Sequence, residues 1–516
     1  MKRLLFRKRP AVFLDRDGTI IEDVGALGDP ADIRVFPDTG RALGKLSKKY
    51  DLFVVSNQGA VSNGILTITQ VNEVNRTLTE KLAAQGITIK EWYVCPHDRK
   101  DGCQCIKPSS YFLQKAAKAY AIDLKRSFFI GDHPHDAYTG KEAGVFGMYL
   151  FSGHGARHLQ ELDPAVPVFP GILQAADWIL KHPHPARDLA KAVRAGARAL
   201  KKGGLTAFPT ETVYGLGADA LDSKAAEKIF KAKERPFNDP LISHVASKKD
   251  VTRLVKKLSS EAEALIDRFW PGPLTLVMEK SSIVPDVITA GTKTVAVRMP
   301  SHPVALDLIR RAGCPVAAPS ANLFGRTSPT CAEHVRAQLE GKYDVLIDGG
   351  YCRVGVESTV LSLVGKLPRI LRPGGISQEE IEAVIGPCLS NTGDGSPIET
   401  SDGNKDHQSP GMLPSHYAPK TPFFLVAKLP VEDAGTKCAG IILGPKECPP
   451  ESPFTGELRV LSPSSDLKEA AANLYRVIQE LDKQGLEKIY AVRMPHEGIG
   501  IAMNDRLTRA AEKSVE

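Results

Sequence analysis

The sequence predicts a mixed α/β protein built from three domains, and three observations support this prediction. Its 516 residues correspond to roughly three domains at about 150 residues each. Short apolar runs that end in polar loops are typical of buried parallel strands. Two stretches of unusual composition, residues 180–188 and 388–410, interrupt the chain. The predicted parts are domains at 1–180, 188–387 and 423–516, with a linker at 388–422.

The composition predicts a soluble, cytoplasmic protein. Apolar residues make up 42% of the chain, and 67 Lys and Arg against 60 Asp and Glu give a net charge of +7, too mild to imply a polyanionic partner. Since no apolar run reaches about 18 residues, we expect no membrane span. Three of the nine cysteines crowd into residues 95–105, which suits a metal site in a reducing compartment better than a disulfide framework.

Three apolar runs in the first segment end in polar loops. They are AVFL (11–14), LFVV (52–55) and SFFI (127–130). Ligands of an open α/β sheet bind beyond the carboxyl ends of its strands, so we expect these loops to meet at one site. Clustered carboxylates there require a hard cation, and Mg²⁺ fits such ligands. The loops carry Asp15, Asp17, Ser56, Asp132 and Asp136.

The stretch Asp15-Arg16-Asp17-Gly18-Thr19, with these followers, resembles the haloacid dehalogenase (HAD) superfamily of phosphatases over about residues 11–165. The resemblance implies a Rossmann-like parallel sheet, with Asp15 as the nucleophile that takes the phosphoryl group and Asp17 as general acid/base. It also implies that Ser56 and Lys107 bind the transferred phosphoryl group. The implied Mg²⁺ ligands are Asp15, Asp17 and Asp132.

Between these motifs, Cys95, His97, Cys103 and Cys105 form a C-x-H-x₅-C-x-C pattern. Three sulfurs and one imidazole complete a tetrahedral zinc shell with no open position, so the predicted Zn²⁺ is structural. The insert narrows the resemblance to the small phosphatases that act on D,D-heptose 1,7-bisphosphate or histidinol phosphate. The implied substrate is a sugar phosphate or an amino-alcohol phosphate.

Two positions depart from that family pattern. Ile106 stands where the family usually has arginine, and His133 stands where it has a basic residue after Gly-Asp. The catalytic residues are intact, whereas groups that would grip the substrate are missing. The sequence therefore leaves two alternatives open, a phosphatase of altered specificity and an inactive structural domain.

The second segment carries polar clusters at the ends of short apolar runs. Hydroxyl, amide and arginine side chains recur in them, which is the chemistry of a phosphate and carboxylate site. A helix predicted over 223–233 precedes a basic loop. The clusters are FPTETVYGLG (208–217), TVAVRMP (294–300), PVAAPSANLFGRTSPT (315–330), GVESTV (355–360) and ILRPGG (370–375).

Taken in this order, the clusters resemble the threonylcarbamoyl-AMP synthase family, a YrdC-type α/β fold, over about residues 188–387. The resemblance implies that ATP, L-threonine and bicarbonate form threonylcarbamoyl-AMP and pyrophosphate, on the way to a modified adenosine of tRNA. Lys233 would act on the phosphates. The positions implied for L-threonine are Thr212, His244, Arg298, Ser320 and Ser358. Those implied for ATP are Arg235, Asp239, Thr294, Asn322, Thr330, Arg372 and Tyr417.

The third segment fits the long form of the same family. The strip SPGMLPSHYAPKTP (409–422) resembles the segment that crosses the active-site mouth in those proteins, with Tyr417 near ATP. Apolar runs at 423–427 and 439–444 predict strands, and an apolar stripe over 466–485 predicts a helix. These elements imply a small Rossmann-like α/β domain without chemistry of its own. Transfer to tRNA would need a separate transferase.

Two alternatives compete with the synthase interpretation. The YrdC-type domain could bind double-stranded RNA without catalysis, although Lys233, Arg235, Ser320 and Asn322 are all present. A carbamoyl-AMP-forming maturation protein of the hydrogenase type uses a related domain. Those proteins carry an acylphosphatase domain and Cys₄ zinc fingers, which this sequence lacks.

Overall fold

The computed structural model describes residues 8–390, 416–431, 435–448 and 453–511. The chain forms two compact units, Met1–Asp188 and Leu189–Glu516. Both units are mixed α/β, as the sequence predicts. Within the described ranges, no helix is long and apolar enough to cross a membrane.

The first unit is built around one parallel sheet. Its strands are β1 (Ala11–Leu14), β2 (Asp51–Asn57), β3 (Ile89–Cys95), β4 (Phe128–Gly131), β5 (Phe146–Leu150) and β6 (Val168–Phe169). Its helices are α1 (Thr39–Leu46), α2 (Ile68–Ala83), α3 (Tyr111–Tyr120), α4 (Pro134–Ala143) and α5 (Ile172–Lys181). The strand order is β3-β2-β1-β4-β5-β6. The order reverses between β1 and β4, which is where ligands of such sheets bind.

The apolar runs of this unit become strands because the sheet buries them on both faces. Every residue of β1 is fully buried, and β1 pairs with β2 on one side and with β4 on the other. A strand in that position reads as a continuous apolar run. The run predicted at 127–130 is displaced by one residue, since the strand occupies Phe128–Gly131.

The larger sheet of the second unit has ten strands of mixed direction. They are β7 (Thr206–Phe208), β8 (Gly215–Asp219), β9 (Ile242–His244), β10 (Leu274–Glu279), β11 (Thr294–Arg298), β12 (Val316–Ala317), β13 (Val345–Leu346), β14 (Thr359–Ser362), β15 (Arg369–Arg372) and β16 (Leu389–Ser390). The order is β13-β7-β8-β12-β9-β11-β10-β14-β15-β16. The accompanying helices are α6 (Pro185–Lys201), α7 (Ser223–Lys233), α8 (Lys248–Leu254), α9 (Ser260–Phe269), α10 (Asp286–Thr289), α11 (Pro303–Ala312), α12 (Ala332–Leu339) and α13 (Gln378–Ile385).

The two predicted interruptions have different outcomes. Around 180–188, α5 ends at Lys181 and α6 begins at Pro185, because proline is tolerated in the first turn of a helix. In the second stretch, Leu389 and Ser390 form β16 and pair with β15. Most of the predicted linker, residues 391–415, lies outside the described residues.

A small parallel sheet completes the second unit. Its strands are β17 (Phe423–Val426), β18 (Cys438–Ile442), β19 (Glu457–Val460) and β20 (Lys488–Val492), and its helices are α14 (Leu467–Leu481) and α15 (Ile499–Ala510). The order is β17-β20-β18-β19. The core of this sheet includes Val356 and Tyr417, which belong to the segments around the larger sheet. The C-terminal layer therefore packs directly against the larger domain.

Candidate active sites

The carboxyl edge of the first sheet gathers three aspartates. Asp15 follows β1 and Asp132 follows β4, and these strands pair in parallel with Leu14 opposite Ile130. The N–H of Asp15 donates to the Ile130 carbonyl at 2.9 Å, which ties the two loops together. Asp136, in the first turn of α4, joins them, and the three side chains offer ligand atoms within 4.8 Å of one another. We call these three residues the carboxylate cluster.

Lys107 supplies positive charge to the carboxylate cluster. Its Nζ lies 2.8 Å from Asp15 Oδ1 and 2.6 Å from Asp136 Oδ1. Burial raises the pKa of Asp15 to about 6 although Lys107 opposes the shift. Burial, with repulsion from Asp15 and Asp136, also raises the pKa of Asp132. One ammonium does not balance three buried carboxylates, so the donor set fits a hard cation such as Mg²⁺.

The carboxylate of Asp17 lies apart from the carboxylate cluster. It accepts hydrogen bonds from Arg16 Nε at 3.1 Å and from Gln58 Nε2 at 2.9 Å. Gln58 also donates to Ser56 Oγ at 2.7 Å, which links Ser56 to the same loop edge. The sequence predicted the Asp17 carboxylate as a metal ligand. In the structure this carboxylate contacts Arg16 and Gln58, whereas Asp136 lies with Asp15 and Asp132.

The four predicted zinc ligands lie together beside this site. The sulfurs of Cys95, Cys103 and Cys105 are 3.2 to 3.6 Å apart. His97 Nδ1 lies 3.7 Å from the Cys95 sulfur and 3.4 Å from the Cys105 sulfur. Tetrahedral zinc, with Zn–S of about 2.3 Å and Zn–N of about 2.0 Å, separates neighbouring ligand atoms by about 3.5 to 3.8 Å. The geometry therefore fits Zn²⁺.

The two positions that depart from the phosphatase pattern lie in different surroundings. Ile106 is partly buried against the apolar cluster of this unit. His133 caps α4, and its ring stacks on His135 at 4.3 Å and contacts His158 at 4.4 Å. Arg99 Nη2 lies 2.8 Å from His135 Nδ1. The start of α4 thus brings His133 and His135 together with Arg99 and His158, a grouping that sequence spacing did not reveal.

In the second unit, most of the predicted binding residues surround one pocket of about 510 Å³, counting its open mouth. All five residues predicted for L-threonine line it, and so do three of the seven predicted for ATP. These eight are Thr212, His244, Arg298, Ser320, Ser358, Arg235, Arg372 and Tyr417.

Arg298 is one of the buried cations that line this pocket. It ends β11, and its Nη1 donates to Thr212 Oγ1 at 2.9 Å. Its Nη2 lies 2.6 Å from Glu211 Oε1, and both side chains are almost fully buried. His244 lies opposite Arg298 in the pairing of β9 with β11. Burial and the charge of Arg298 lower the pKa of His244 to about 3, so its imidazole is neutral at pH 7.

Arg235 and Arg372 also line the pocket, and both are held by hydrogen bonds. Arg235 Nη2 lies 2.8 Å from Asp239 Oδ2 and donates to the Pro240 carbonyl at 2.9 Å. Arg372 Nη2 donates to the Ser358 carbonyl at 2.9 Å. Both guanidiniums are buried, and such preorganised forks bind phosphate oxygens well. Asp239 therefore orients Arg235 rather than lining the pocket itself.

Four other predicted residues lie outside the pocket lining. Lys233 Nζ donates to the carbonyls of Ser320 and Asn322, and burial with the neighbouring Arg235 lowers its pKa. The Asn322 amide closes a turn by donating to the carbonyls of Leu323 and Arg326. The remaining two are Thr294, at the opposite end of β11 from Arg298, and Thr330, whose N–H donates to His334 Nδ1.

His416 and Tyr417 belong to the part of the predicted strip that the structure describes. They form hydrogen bonds both to α15 and to the domain of the larger sheet. The N–H of His416 donates to the Arg509 carbonyl at 3.1 Å, and the Tyr417 carbonyl accepts from Thr327 Oγ1 at 3.1 Å. Tyr417 adopts φ +70°, a left-handed conformation that costs a non-glycine residue about 1 kcal/mol or more. Surrounding contacts must therefore enforce it. Residues 409–415 of the strip lie outside the described residues.

Several residues of the two sites were not found from the sequence. Glu211 and Glu357 are buried carboxylates at the pocket, and each pairs with an arginine far away in the chain. For Glu357, the available signal was a carboxylate in the short cluster GVESTV (355–360). No comparable signal marked Arg506, which pairs with Glu357.

Family models of known proteins match parts of both units. Residues 198–374 match the family model described as Telomere recombination, and residues 376–512 match the Threonylcarbamoyl-AMP synthase, C-terminal domain. Residues 104–175 match a HAD-hydrolase-like model. The two matches of the second unit are adjacent and span almost all of it.

Curated relatives and a solved structure agree with these matches. The threonylcarbamoyl-AMP synthase of Pyrococcus abyssi is 43% identical over 328 residues, which are 62% of this chain and 94% of that protein. The one of Bacillus subtilis is 41% identical over 324 residues, 61% of this chain and 91% of that protein. The crystal structure of P. abyssi Sua5 complexed with L-threonine has a TM-score of 0.57 at 41% identity, covering 63% of this chain and 96% of that one.

Proposed function

This chain belongs to the threonylcarbamoyl-AMP synthase family and carries a HAD-like hydrolase domain, and from this premise we propose that its second unit forms L-threonylcarbamoyl-AMP and pyrophosphate from ATP, L-threonine and bicarbonate. The observation that carries the proposal is the pocket itself, where Arg298 and Thr212 face Arg235 and Arg372. A carboxylate ligand and a polyphosphate ligand each find a buried guanidinium there.

We assign residues to the groups of L-threonine according to their charge. We assign the carboxylate of L-threonine to Arg298, with hydroxyl and imidazole contacts from Thr212, His244, Ser320 and Ser358. A neutral His244 accepts or donates a hydrogen bond without repelling Arg298. Because the Arg298 fork is already held by Glu211, threonine binding requires little reorganisation.

The chemical step needs positive charge more than a covalent nucleophile. The amine of L-threonine and bicarbonate give a carbamate and water. A carbamate oxygen then attacks the α-phosphorus of ATP, and pyrophosphate leaves. Negative charge grows on the phosphate oxygens, and Arg235 and Arg372 are placed to stabilise it. Lys233 supports the same wall by holding the carbonyls of Ser320 and Asn322. We assign Asp239, Thr294, Asn322, Thr330 and Tyr417 to the shape of the ATP side.

The product is an activated carbamate, so a further step must transfer it to tRNA. We infer a separate transferase for that step, since the matched families account for a synthase and a hydrolase. An RNA-binding module without catalysis would not need Arg298, Arg235 and Arg372 to line one pocket. This lining therefore supports the synthase proposal over that alternative.

For the first unit we propose a phosphomonoester phosphatase. Asp15 takes the phosphoryl group as nucleophile, and Asp17, held by Arg16 and Gln58, exchanges the proton with the leaving oxygen. Ser56 and Lys107 bind the transferred phosphoryl group. Mg²⁺ held by the carboxylate cluster would neutralise phosphoryl charge and keep Asp15 ionised. Structural Zn²⁺ on the cysteine and histidine ligands would brace the loop that carries Lys107.

The substrate class proposed for this phosphatase is a sugar phosphate or amino-alcohol phosphate. The test is phosphate release from a panel that contains D,D-heptose 1,7-bisphosphate, histidinol phosphate and nucleotides, with Asp15→Asn as the blank. A clear preference for one ester would identify the substrate. No release above the blank would contradict the phosphatase proposal. Threonine-dependent pyrophosphate release in the same preparation tests the synthase proposal separately.

A further inference from the structure

Arg506 lies on α15 of the C-terminal layer, which consists of β17–β20, α14 and α15. Its side chain contacts residues that line the pocket. Its side chain is 1% exposed. Its Nε donates to Glu357 Oε2 at 2.7 Å, and its Nη2 donates to the Pro373 carbonyl at 2.9 Å. Its guanidinium carbon lies 5.2 Å from the centre of the Tyr417 ring. One side chain therefore contacts three separate segments that form the pocket wall.

Each of these segments carries a residue that lines the pocket. Glu357 and Tyr417 line it directly, and Pro373 follows Arg372 in the chain. The segment after Arg372 is tightly packed, because a Cβ at Gly374 would lie 2.3 Å from the backbone of Ser358. A shift of the Pro373 carbonyl would therefore move Arg372 and Ser358 together.

Glu357 is fixed by more than Arg506. Ser328 Oγ donates to its Oε1 at 2.6 Å, and the Tyr475 hydroxyl donates to its Oε2 at 3.1 Å. The Tyr475 ring stacks on Tyr417 at 5.9 Å. Glu357, Tyr475, Tyr417 and Arg506 thus form one buried network. Tyr417 keeps its left-handed backbone inside this network, which shows that the surroundings determine its position.

We propose that Arg506 is a positioning residue for ATP: from the C-terminal layer it fixes Tyr417, Glu357 and the Arg372 segment as the nucleotide side of the pocket. This inference rests on the proposed placement of ATP. Arg298, which we assign to the threonine carboxylate, does not depend on Arg506, since Thr212, Glu211 and the Gly272 carbonyl hold it. The C-terminal layer is therefore part of the nucleotide site and not only a cover.

The test compares Arg506→Lys and Arg506→Met in the full chain, with ATP affinity from equilibrium binding and KM values from pyrophosphate release. Arg506→Met is expected to weaken ATP binding and raise KM for ATP about ten- to a hundred-fold, since small misplacements of binding groups have effects of this size. Arg506→Lys keeps the charge but loses the fork, so it should recover part of the loss. KM for L-threonine should rise much less than KM for ATP, because only Ser358 of the proposed threonine contacts belongs to the segment that Arg506 holds.

A matched control and a second pair separate positioning from folding. Arg493→Ala removes an exposed arginine that follows β20 in the same layer, and it should leave both KM values unchanged. Arg506→Met leaves Glu357 buried without its charge partner, which destabilises the fold. Glu357→Gln combined with Arg506→Met removes that unpaired charge. The combined variant should be more thermostable than Arg506→Met and still bind ATP about ten-fold more weakly than Glu357→Gln alone.

Native-like ATP affinity in the combined variant would overturn the inference, and so would equal losses for ATP and L-threonine. ATP binding by the native protein without pyrophosphate release would contradict the proposed reaction but not the role of Arg506. Failure of the native protein to bind ATP would contradict both.

Discussion

Arg298 and Thr212, 86 positions apart in the chain, meet inside the pocket, where the guanidinium Nη1 donates to the threonine hydroxyl at 2.9 Å. The hydroxyl belongs to the turn after β7, and the guanidinium ends β11. Glu211 holds the other side of the same guanidinium. The turn that carries Glu211 and Thr212 thus fixes the orientation of the Arg298 guanidinium.

We expect Arg298→Ala to lower threonine-dependent pyrophosphate release at least about a hundred-fold, as loss of a preorganised charged donor does. Phosphate release by the first unit should be unchanged, because its residues belong to a separate compact unit. The two activities are measured in one preparation. Arg298→Lys should be intermediate, since it keeps the charge and loses the fork.

Two controls belong to this experiment. Arg310→Ala removes an exposed arginine of α11 and should change neither activity. Arg298→Ala also leaves Glu211 buried without its partner, so Glu211→Gln is added to restore folding. Parallel loss of both activities in these variants would contradict the independence of the two sites.

Much of the fold follows from local sequence patterns. The first strand coincides with its apolar run, and the helix at Ser223–Lys233 begins after an aspartate whose side chain accepts from two backbone N–H groups. Such elements are encoded by short-range burial and capping, which a sequence displays directly. The displaced strand at Phe128–Gly131 shows the usual limit, since the exact boundary depends on pairing with β1 and β5.

The sequence indicated a site residue only where that residue lies in or next to a predicted element and so can be placed without knowing its partners. His244, Arg298 and Arg372 reach the pocket because each ends a strand of the larger sheet. The orientation of Lys233 and the separation of Asp17 depend on partners such as Ser320 and Arg16, which no spacing encodes. Arg506 reaches Glu357 across 149 positions, and such a contact exists only after both layers have packed.

We expect about one zinc per chain, bound by Cys95, His97, Cys103 and Cys105, because their ligand atoms already stand near tetrahedral spacing. Cys103→Ser combined with Cys105→Ser should lose the zinc and lower the thermal midpoint of the first unit. Cys314→Ser, outside this group, should keep it. Elemental analysis after dialysis measures the content. Unchanged zinc in the first variant would exclude these ligands.

We expect Asp15→Asn to abolish phosphate release from every ester, because the amide is no nucleophile for phosphorus. Asp136→Asn should lower the affinity for Mg²⁺, so that more Mg²⁺ is needed for half-maximal activity. It should also make Lys107 less well ordered, because the Lys107 Nζ lies 2.6 Å from that carboxylate. Titration of activity with Mg²⁺ separates these effects. Native activity in Asp15→Asn would show that phosphorus is attacked by another group.

The stability of the second unit should fall as the pH drops from 7 to 5. Three histidines, His244, His334 and His416, are buried as neutral rings, and burial lowers the pKa of each to about 3. In the unfolded chain they titrate near pH 6.5. Between about pH 6.5 and 3 the unfolded state therefore binds more protons, so their contribution to stability is complete above pH 6.5 and is lost as the pH falls.

His334→Gln isolates one of these contributions. Its Nδ1 accepts from the Thr330 N–H at 3.2 Å, and a glutamine oxygen can replace that acceptor without titrating. From pH 7 to pH 5 the native protein should lose about 2 kcal/mol more stability than the variant. Urea unfolding at several pH values, followed by hydrogen exchange in the strands of the second unit, measures the difference. Parallel pH profiles for the two proteins would show that His334 is not buried as a neutral ring.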